Sequence, residues 1–255
     1  MSLGLGITNE LLEYPTDWTP KDEIIGTKIA LWLQNNVDIA EDGSAWLDSS
    51  GNGVDATQTT EANRPNVSSG GLNFDQSLPG IGNQFMDLDS RIVVEEGGAF
   101  SLFVVLRLDD TRNEAILSDS NNEFVEILSP SSLRFKANNP SNVTTVLRFD
   151  TSVFTTNPMI VSLLRDADGA FQVFVDGTAV VPNSSSTNTE NDHGFDFQNI
   201  GSRNDNDRFL DGVIFELLFY TDIFTGNQLT RMHAYLKEKF NISWEIQYYL
   251  YCFYF

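Results

Sequence analysis

The sequence predicts an all-β fold, two antiparallel sheets packed face to face as a sandwich and closed by one C-terminal amphipathic helix. Three observations predict it. From Lys28 onward, short apolar runs such as KIALWL, SLFVVLRL, MIVSLLR and AFQVFVDG are separated by clusters of Asn, Gly, Asp and Ser, at the intervals usual in sandwiches and barrels. No helical pattern alternates with these runs, so the crossover units of a parallel sheet are not expected. Near the end one apolar run, GVIFELLFY, passes through a short polar turn into QLTRMHAYLKEKF, whose apolar residues recur at helical spacing.

Composition bounds the organisation. At 255 residues, 41% of them hydrophobic, the chain can bury one large core, and a β-sandwich of this size is commonly a single domain. The expected division is an extended N-terminal arm over 1–26, the sandwich over 27–242 and an aromatic tail over 243–255. Lys and Arg number 15 against 36 Asp and Glu, a formal charge of −21, with no basic run in the sequence. Nucleic acid is therefore not an expected partner, because affinity for its backbone comes from Lys and Arg neutralising phosphates. The excess charge suits high solubility. Cys252 is the single cysteine, so an intrachain disulfide cannot form and stability must come from burial, as befits synthesis in a reducing cytoplasm. The first basic residue is Lys21 and no signal-like apolar run precedes it, so Sec export is not expected; nor is a membrane partner, since no apolar stretch reaches the roughly 18 residues of a span.

The elements follow in order. In the arm Pro15 and Pro20 interrupt any helix, and Leu11, Tyr14 and Trp18 are the candidate docking residues. SLFVVLRL is apolar on both faces, Leu102, Val104 and Leu106 alternating with Phe103 and Val105, and belongs in the middle of a covered sheet. Asp168-Gly169 supplies a tight hairpin that pairs MIVSLLR with AFQVFVDG. In the second of these strands Phe171, Val173 and Val175 share one face, with Gln172 and Asp176 on the other. Thr225 and Gln228 have the spacing of a capping box. After them Leu229, Met232, Leu236 and Phe240 form a stripe, with Arg231, Lys237, Glu238 and Lys239 outside it, so the helix should lie on the sandwich as a lid. The tail SWEIQYYLYCFYF crowds aromatics on both faces of a strand and would aggregate if exposed. Trp244, Tyr248, Tyr251 and Phe253 are its candidate docking residues, onto the same domain or onto a neighbouring subunit, including another copy of the chain.

Taken together, IALWLQNN, DSSGNGVDATQ, RPNVSSGGLNFD, FSLFVVLRL, RDADGAFQVFVDG and FLDGVIFELLFY with QLTRMHAYLKEKFNI resemble laminin-G-like and concanavalin-A-like jelly-roll modules over about residues 28–242. More narrowly, they resemble the versions found in structural proteins of tailed phages. The resemblance implies a jelly-roll sandwich in which DSSGNG is a structural turn, Gly51 and Gly53 taking conformations closed to other residues. It also implies a non-enzymatic virion protein, made in the host cytoplasm. Such a protein would be capsid-decorating, a head appendage or tail-associated, held through its termini to other capsid or tail proteins.

The motifs that carry chemistry are sparse. Glycoside hydrolases on related folds need two carboxylates flanking a sugar cleft. No Glu-x-Asp-x-Glu run exists; Asp87 and Asp89 share a face of FMDLD, while Glu123 and Glu126 are wrongly spaced for one face. Hydrolysis is thus the third reading. His193 and His233 lack a nucleophile context and read as surface or partly packed, and Cys252 has no basic neighbour to activate it. No cofactor is expected. Calcium is the one metal worth testing, with Asp166 and Asp168, or Asp205 and Asp207, as its candidate ligands. The main alternative to a structural role is a carbohydrate-binding module for host recognition, in which KANNPSNV and VPNSSSTNTENDHG would supply the polar contacts, although neither loop contains a Trp or Tyr.

Overall fold

The computed structural model describes residues 18–22, 28–75, 83–119, 123–137, 143–203 and 208–242. Among these the chain forms sixteen strands and one α-helix: β1 (Ile29–Leu33), β2 (Ala45–Trp46), β3 (Ala56–Thr57), β4 (Asn66–Ser68), β5 (Gly71–Phe74), β6 (Met86–Val94), β7 (Phe100–Leu108), β8 (Glu114–Ser118), β9 (Phe124–Ser129), β10 (Ser132–Lys136), β11 (Thr144–Arg148), β12 (Met159–Arg165), β13 (Phe171–Val175), β14 (Thr178–Val180), β15 (Phe195–Ile200), β16 (Gly212–Tyr220) and α1 (Gly226–Phe240). Sheet A has the order β14-β13-β12-β7-β16-β5-β4, with β1 also paired to β16, and sheet B has the order β11-β10-β9-β8-β15-β6-β3-β2. Pairing within both is antiparallel, as the period-2 patterning and short turns require.

Alternation along each strand builds the core. Leu102, Val104 and Leu106 of β7, Ile214, Leu217 and Phe219 of β16, and Val125, Ile127, Leu133 and Phe135 of sheet B meet between the sheets. The residues of opposite parity in sheet A, Phe103, Val105, Ile160, Leu164, Leu218 and Tyr220, form a second core under α1 with Met232 and Leu236. Strand β7 lies between β12 and β16 and is covered on both faces, as its sequence predicts. The β12–β13 hairpin turns at Gly169, whose φ of 84° lies in the region open mainly to glycine. In the DSSGNG turn Gly51 and Gly53 likewise have positive φ. There Asp48 accepts the N–H groups of Trp32, Ser50 and Asn52, which ties the turn to β1.

The structure corrects three details. Thr225 is the N-cap of α1, but its hydroxyl makes no capping bond; Gln228 instead donates its backbone N–H to the Thr225 carbonyl, so the capping box does not form. Lys237, predicted outside the helix stripe, is buried, while Lys239 reaches the buried carboxylate of Glu216 at 2.5 Å. His233 is also buried rather than superficial, because α1 rotates it onto the sheet between Phe103 and Phe174.

Of the predicted arm, residues 18–22 are described. Pro20–Asp22 form one 3-10 turn, and the Pro20 carbonyl accepts the Tyr220 hydroxyl at 3.1 Å. Trp18, expected to dock on a partner, packs edge-on against Tyr235 of its own helix at 5.5 Å. Leu11, Tyr14, Trp244, Tyr248, Tyr251 and Phe253 lie outside the described residues, and so do Asp205 and Asp207.

Candidate functional site

Helix α1 covers the outer face of sheet A, and among the described residues no helix lies on the outer face of sheet B. Register places one row across it: Thr57 on β3, Asp87 on β6, Asn199 on β15, Ser118 on β8, Phe124 on β9, Lys136 on β10 and Thr144 on β11. The next row carries Ala115, Glu126, Arg134 and Val146. The described parts of the β15–β16 connection, 201–203 and 208–211, reach this face. Gly201, with a φ of 80° and its N–H bonded to the Ile116 carbonyl, starts the turn; the Leu210 N–H returns to the Gly201 carbonyl and closes it. A Cβ at Gly201 would stand 2.5 Å from the Phe74 ring, so the turn needs glycine on two counts. Ser118 donates its hydroxyl proton to the Ser202 carbonyl at 2.6 Å and pins the loop to β8.

That loop brings Arg203 and Arg208 to Arg134. All three face the fully buried carboxylate of Glu126: Arg134 is in direct contact, Arg208 is at 3.8 Å and Arg203 at 4.0 Å. The Arg134 and Arg203 guanidiniums lie 5.0 and 5.2 Å from the Phe124 ring centroid, in cation–π range. Arg208 also binds the Asn113 side chain. Close by, burial pushes the Glu114 carboxyl up to about 8, although the Asp211 N–H donates to it at 2.6 Å; Asp211, Asp110 and Glu126 add to the rise. Glu114 is therefore largely protonated at neutral pH and adds little negative charge to the cluster.

The other half of the face is acidic. Asp87 accepts the Asn199 amide at 2.6 Å and Asp89 accepts the Thr57 hydroxyl at 3.2 Å. Arg91 bridges Asp119 at 2.8 Å and Asp196 at 3.5 Å, and Glu123 accepts the Asp196 N–H at 3.4 Å. These carboxylates are engaged with neighbours of the same chain, an arrangement that spends them on holding strands together. The shared face predicted for Asp87 and Asp89 is observed. What the sequence hides is Glu126, whose one legible signal is a lone acid within the apolar run FVEIL.

The remaining sequence candidates separate. Asp166 and Asp168 sit at the hairpin, but Oδ1 of Asp166 accepts the N–H groups of Asp168 at 3.0 Å and Ala170 at 2.8 Å. Oδ1 of Asp166 is thus engaged in closing the hairpin turn. His233 Nε2 and Ser162 Oγ are 3.0 Å apart, yet both are buried between sheet A and α1, where no substrate reaches a nucleophile. His193 contributes its carbonyl, which accepts from Arg165 at 2.6 Å. The loop VPNSSSTNTENDHG, expected to offer its polar groups to a sugar, runs along β11 instead: Thr187 bridges Val146 in both directions, Ser186 accepts the Arg148 N–H, and Asn188 donates to the Thr144 carbonyl. Of KANNPSNV, residues 138–142 lie outside the described set.

No protein-family model matches the chain, and no curated protein matches it. Solved structures do. The binding domain of Paraclostridial Mosquitocidal Protein 1 superimposes with a TM-score of 0.54 at 13% identity, over 85% of this chain and 53% of that one. The receptor binding domain of botulinum neurotoxin D gives 0.52 at 13% identity, over 83% and 54%. A structure of botulinum neurotoxin type C, described as dependent on two ganglioside molecules for cell entry, gives 0.52 at 14% identity, over 83% and 52%. The chain thus spans about half the length of these solved structures, and the likeness is one of fold: a β-sandwich also found in toxin binding domains.

Proposed function

We propose that the chain is a non-enzymatic carbohydrate-binding recognition module that uses the outer face of sheet B. The carrying observation is the cluster of Arg134, Arg203, Arg208, Phe124 and Glu126 on the outer face of sheet B, on which no helix lies among the described residues. The fold shared with toxin binding domains supports a binding role, and the carboxylates of this face, engaged with strand neighbours, support the absence of hydrolysis. Carriage of such a module on a virion, made in a host cytoplasm and joined to capsid or tail proteins, rests on the resemblance to phage structural modules alone.

A glycan array probed with the chain and with Arg134→Gln, followed by a reducing-end assay on any glycan bound, tests this. A glycan signal lost in the variant, with no reducing ends released, is expected. Release of reducing ends would overturn the non-enzymatic reading, and an array left blank by the wild type would overturn the carbohydrate.

A further inference from the structure

We propose that α1 is an acid-released lid: protonation of His233 detaches the helix from sheet A while the sandwich beneath it stays folded. The lid is independent of the recognition reading, since it concerns the opposite face of the molecule. Enclosure of the imidazole is the first argument. His233 is 4% exposed, and its ring lies between Phe103 of β7 and Phe174 of β13, at centroid distances of 5.9 and 5.3 Å. Its hydrogen-bond partner among the described residues is the Ser162 hydroxyl of β12, 3.0 Å from Nε2. From the β13–β14 turn Gly177 approaches so closely that a Cβ built on it would stand 3.3 Å from the His233 Cβ. A neutral imidazole suits this enclosure, whereas an imidazolium must be paired there or leave it.

The surrounding charges are the second argument. Lys237 stands one turn along α1 on the same side, is itself buried, and opposes a second cation at His233. Strands β7, β12 and β13 bring the uncharged Phe103, Ser162 and Phe174. The facing carboxylate is Asp176 in the β13–β14 turn, which attracts Lys237 and accepts the Ile160 N–H at 2.8 Å. One carboxylate thus faces two cations once His233 is protonated. Burial raises the Asp176 carboxyl, so it gains its own proton as pH falls; that relieves its burial but leaves Lys237 and His233 facing each other. Separate cores are the third argument. The core between the sheets contains no residue of α1, while Met232 and Leu236 meet Phe103, Val105, Ile160, Leu164 and Leu218 in a cluster of their own. Further along, Lys239 ties the helix to Glu216. Release of α1 therefore sacrifices the outer cluster, uncovers the apolar outer face of sheet A and leaves the core between the sheets in place.

Hydrogen-exchange mass spectrometry of the full chain at pH 7 and at pH 4.5, with rates corrected for the intrinsic pH dependence of amide exchange, tests the proposal. Protection of 226–240 should fall about tenfold or more at pH 4.5 while β7 and β12 keep theirs. That scale follows from an imidazole that titrates near 6.5 when released and at about 4 when enclosed. His233→Gln should keep α1 protected at pH 4.5, and Lys237→Met, which removes the repulsion, should diminish the acid loss about threefold. The ratio between the two pH values is the readout, so a variant that loosens α1 already at pH 7 is still decisive. Equal protection of α1 at both pH values in the wild type would overturn the proposal. So would loss from α1, β7 and β12 together, which is unfolding of the whole sandwich, or a wild-type ratio retained in both variants.

Discussion

Arg165 lies wholly inside the protein, where its guanidinium holds two separate loops against one end of the sandwich. Nη1 donates to the carbonyls of Asn191 at 3.2 Å and His193 at 2.6 Å, and Nη2 donates to that of Gly98 at 2.7 Å. The group sits 5.0 Å from the Phe100 ring centroid and 5.6 Å from that of Phe135. Burial pulls its pKa down to about 10, so it remains cationic at neutral pH. Arg165→Met keeps the volume but strips three carbonyls of their donor, and a loss of about 3 kcal/mol is expected, read as a lower denaturation midpoint with an unchanged m-value. In the sequence this arginine is the polar end of MIVSLLR and looks like a residue leaving a strand for solvent. Glu216 within GVIFELLFY and Glu126 within FVEIL carried a better signal, a single acid interrupting an apolar strand. Their partners, Trp32 and Lys239 for the first and three arginines for the second, come from distant positions that no local pattern connects.

At the scale of elements, α1 is joined to sheet A by polar contacts as well as by its apolar stripe. Glu216 accepts from the Trp32 indole at 2.9 Å and from Lys239, while His233 meets Ser162 on β12. Burial, reinforced by the nearby Lys237 charge, pushes the His233 imidazole down to about 4. The unfolded chain takes up this proton below about 6.5 while the folded one resists it until about 4. The contribution is therefore complete above 6.5 and is lost as pH falls through 4, by roughly 3 kcal/mol. Glu114 runs the other way: with its folded pKa raised to about 8, its contribution is complete below about 4.5 and is lost as pH rises through 8. Thermal midpoints from pH 4 to 8 should show His233→Gln flattening the acid limb and Glu114→Gln flattening the neutral-to-alkaline limb. A wild-type acid limb that persists in His233→Gln would exclude His233 as its source. The helix itself was legible because Met232 and Leu236 recur at its period. Its register on the sheet was not, since His233 and Lys237 read as surface residues until the sheet beneath them is known.

The whole molecule has one sheet covered on both faces and one with a charged outer face divided between acid and base. The first property was written in the sequence: SLFVVLRL and GVIFELLFY are apolar at both parities, and only a doubly covered strand tolerates that. The second was not, because it depends on the Gly201 turn carrying Arg203 and Arg208 across from β15 to β9 and β10, a long-range placement with no spacing to betray it. The charge total also misled at this scale. A chain at −21 suggests an acidic surface, and the charge total alone does not show that Arg134, Arg203 and Arg208 meet at Glu126. The central claim, that ligand recognition occurs on the outer face of sheet B, is tested most directly by one glycan-array comparison of the wild type with a variant on each outer face, Arg134→Gln on sheet B and Gln172→Ala on sheet A. Loss of the glycan signal in Arg134→Gln with an unchanged pattern in Gln172→Ala is the expected result; equal patterns in all three proteins, or loss confined to Gln172→Ala, would contradict it.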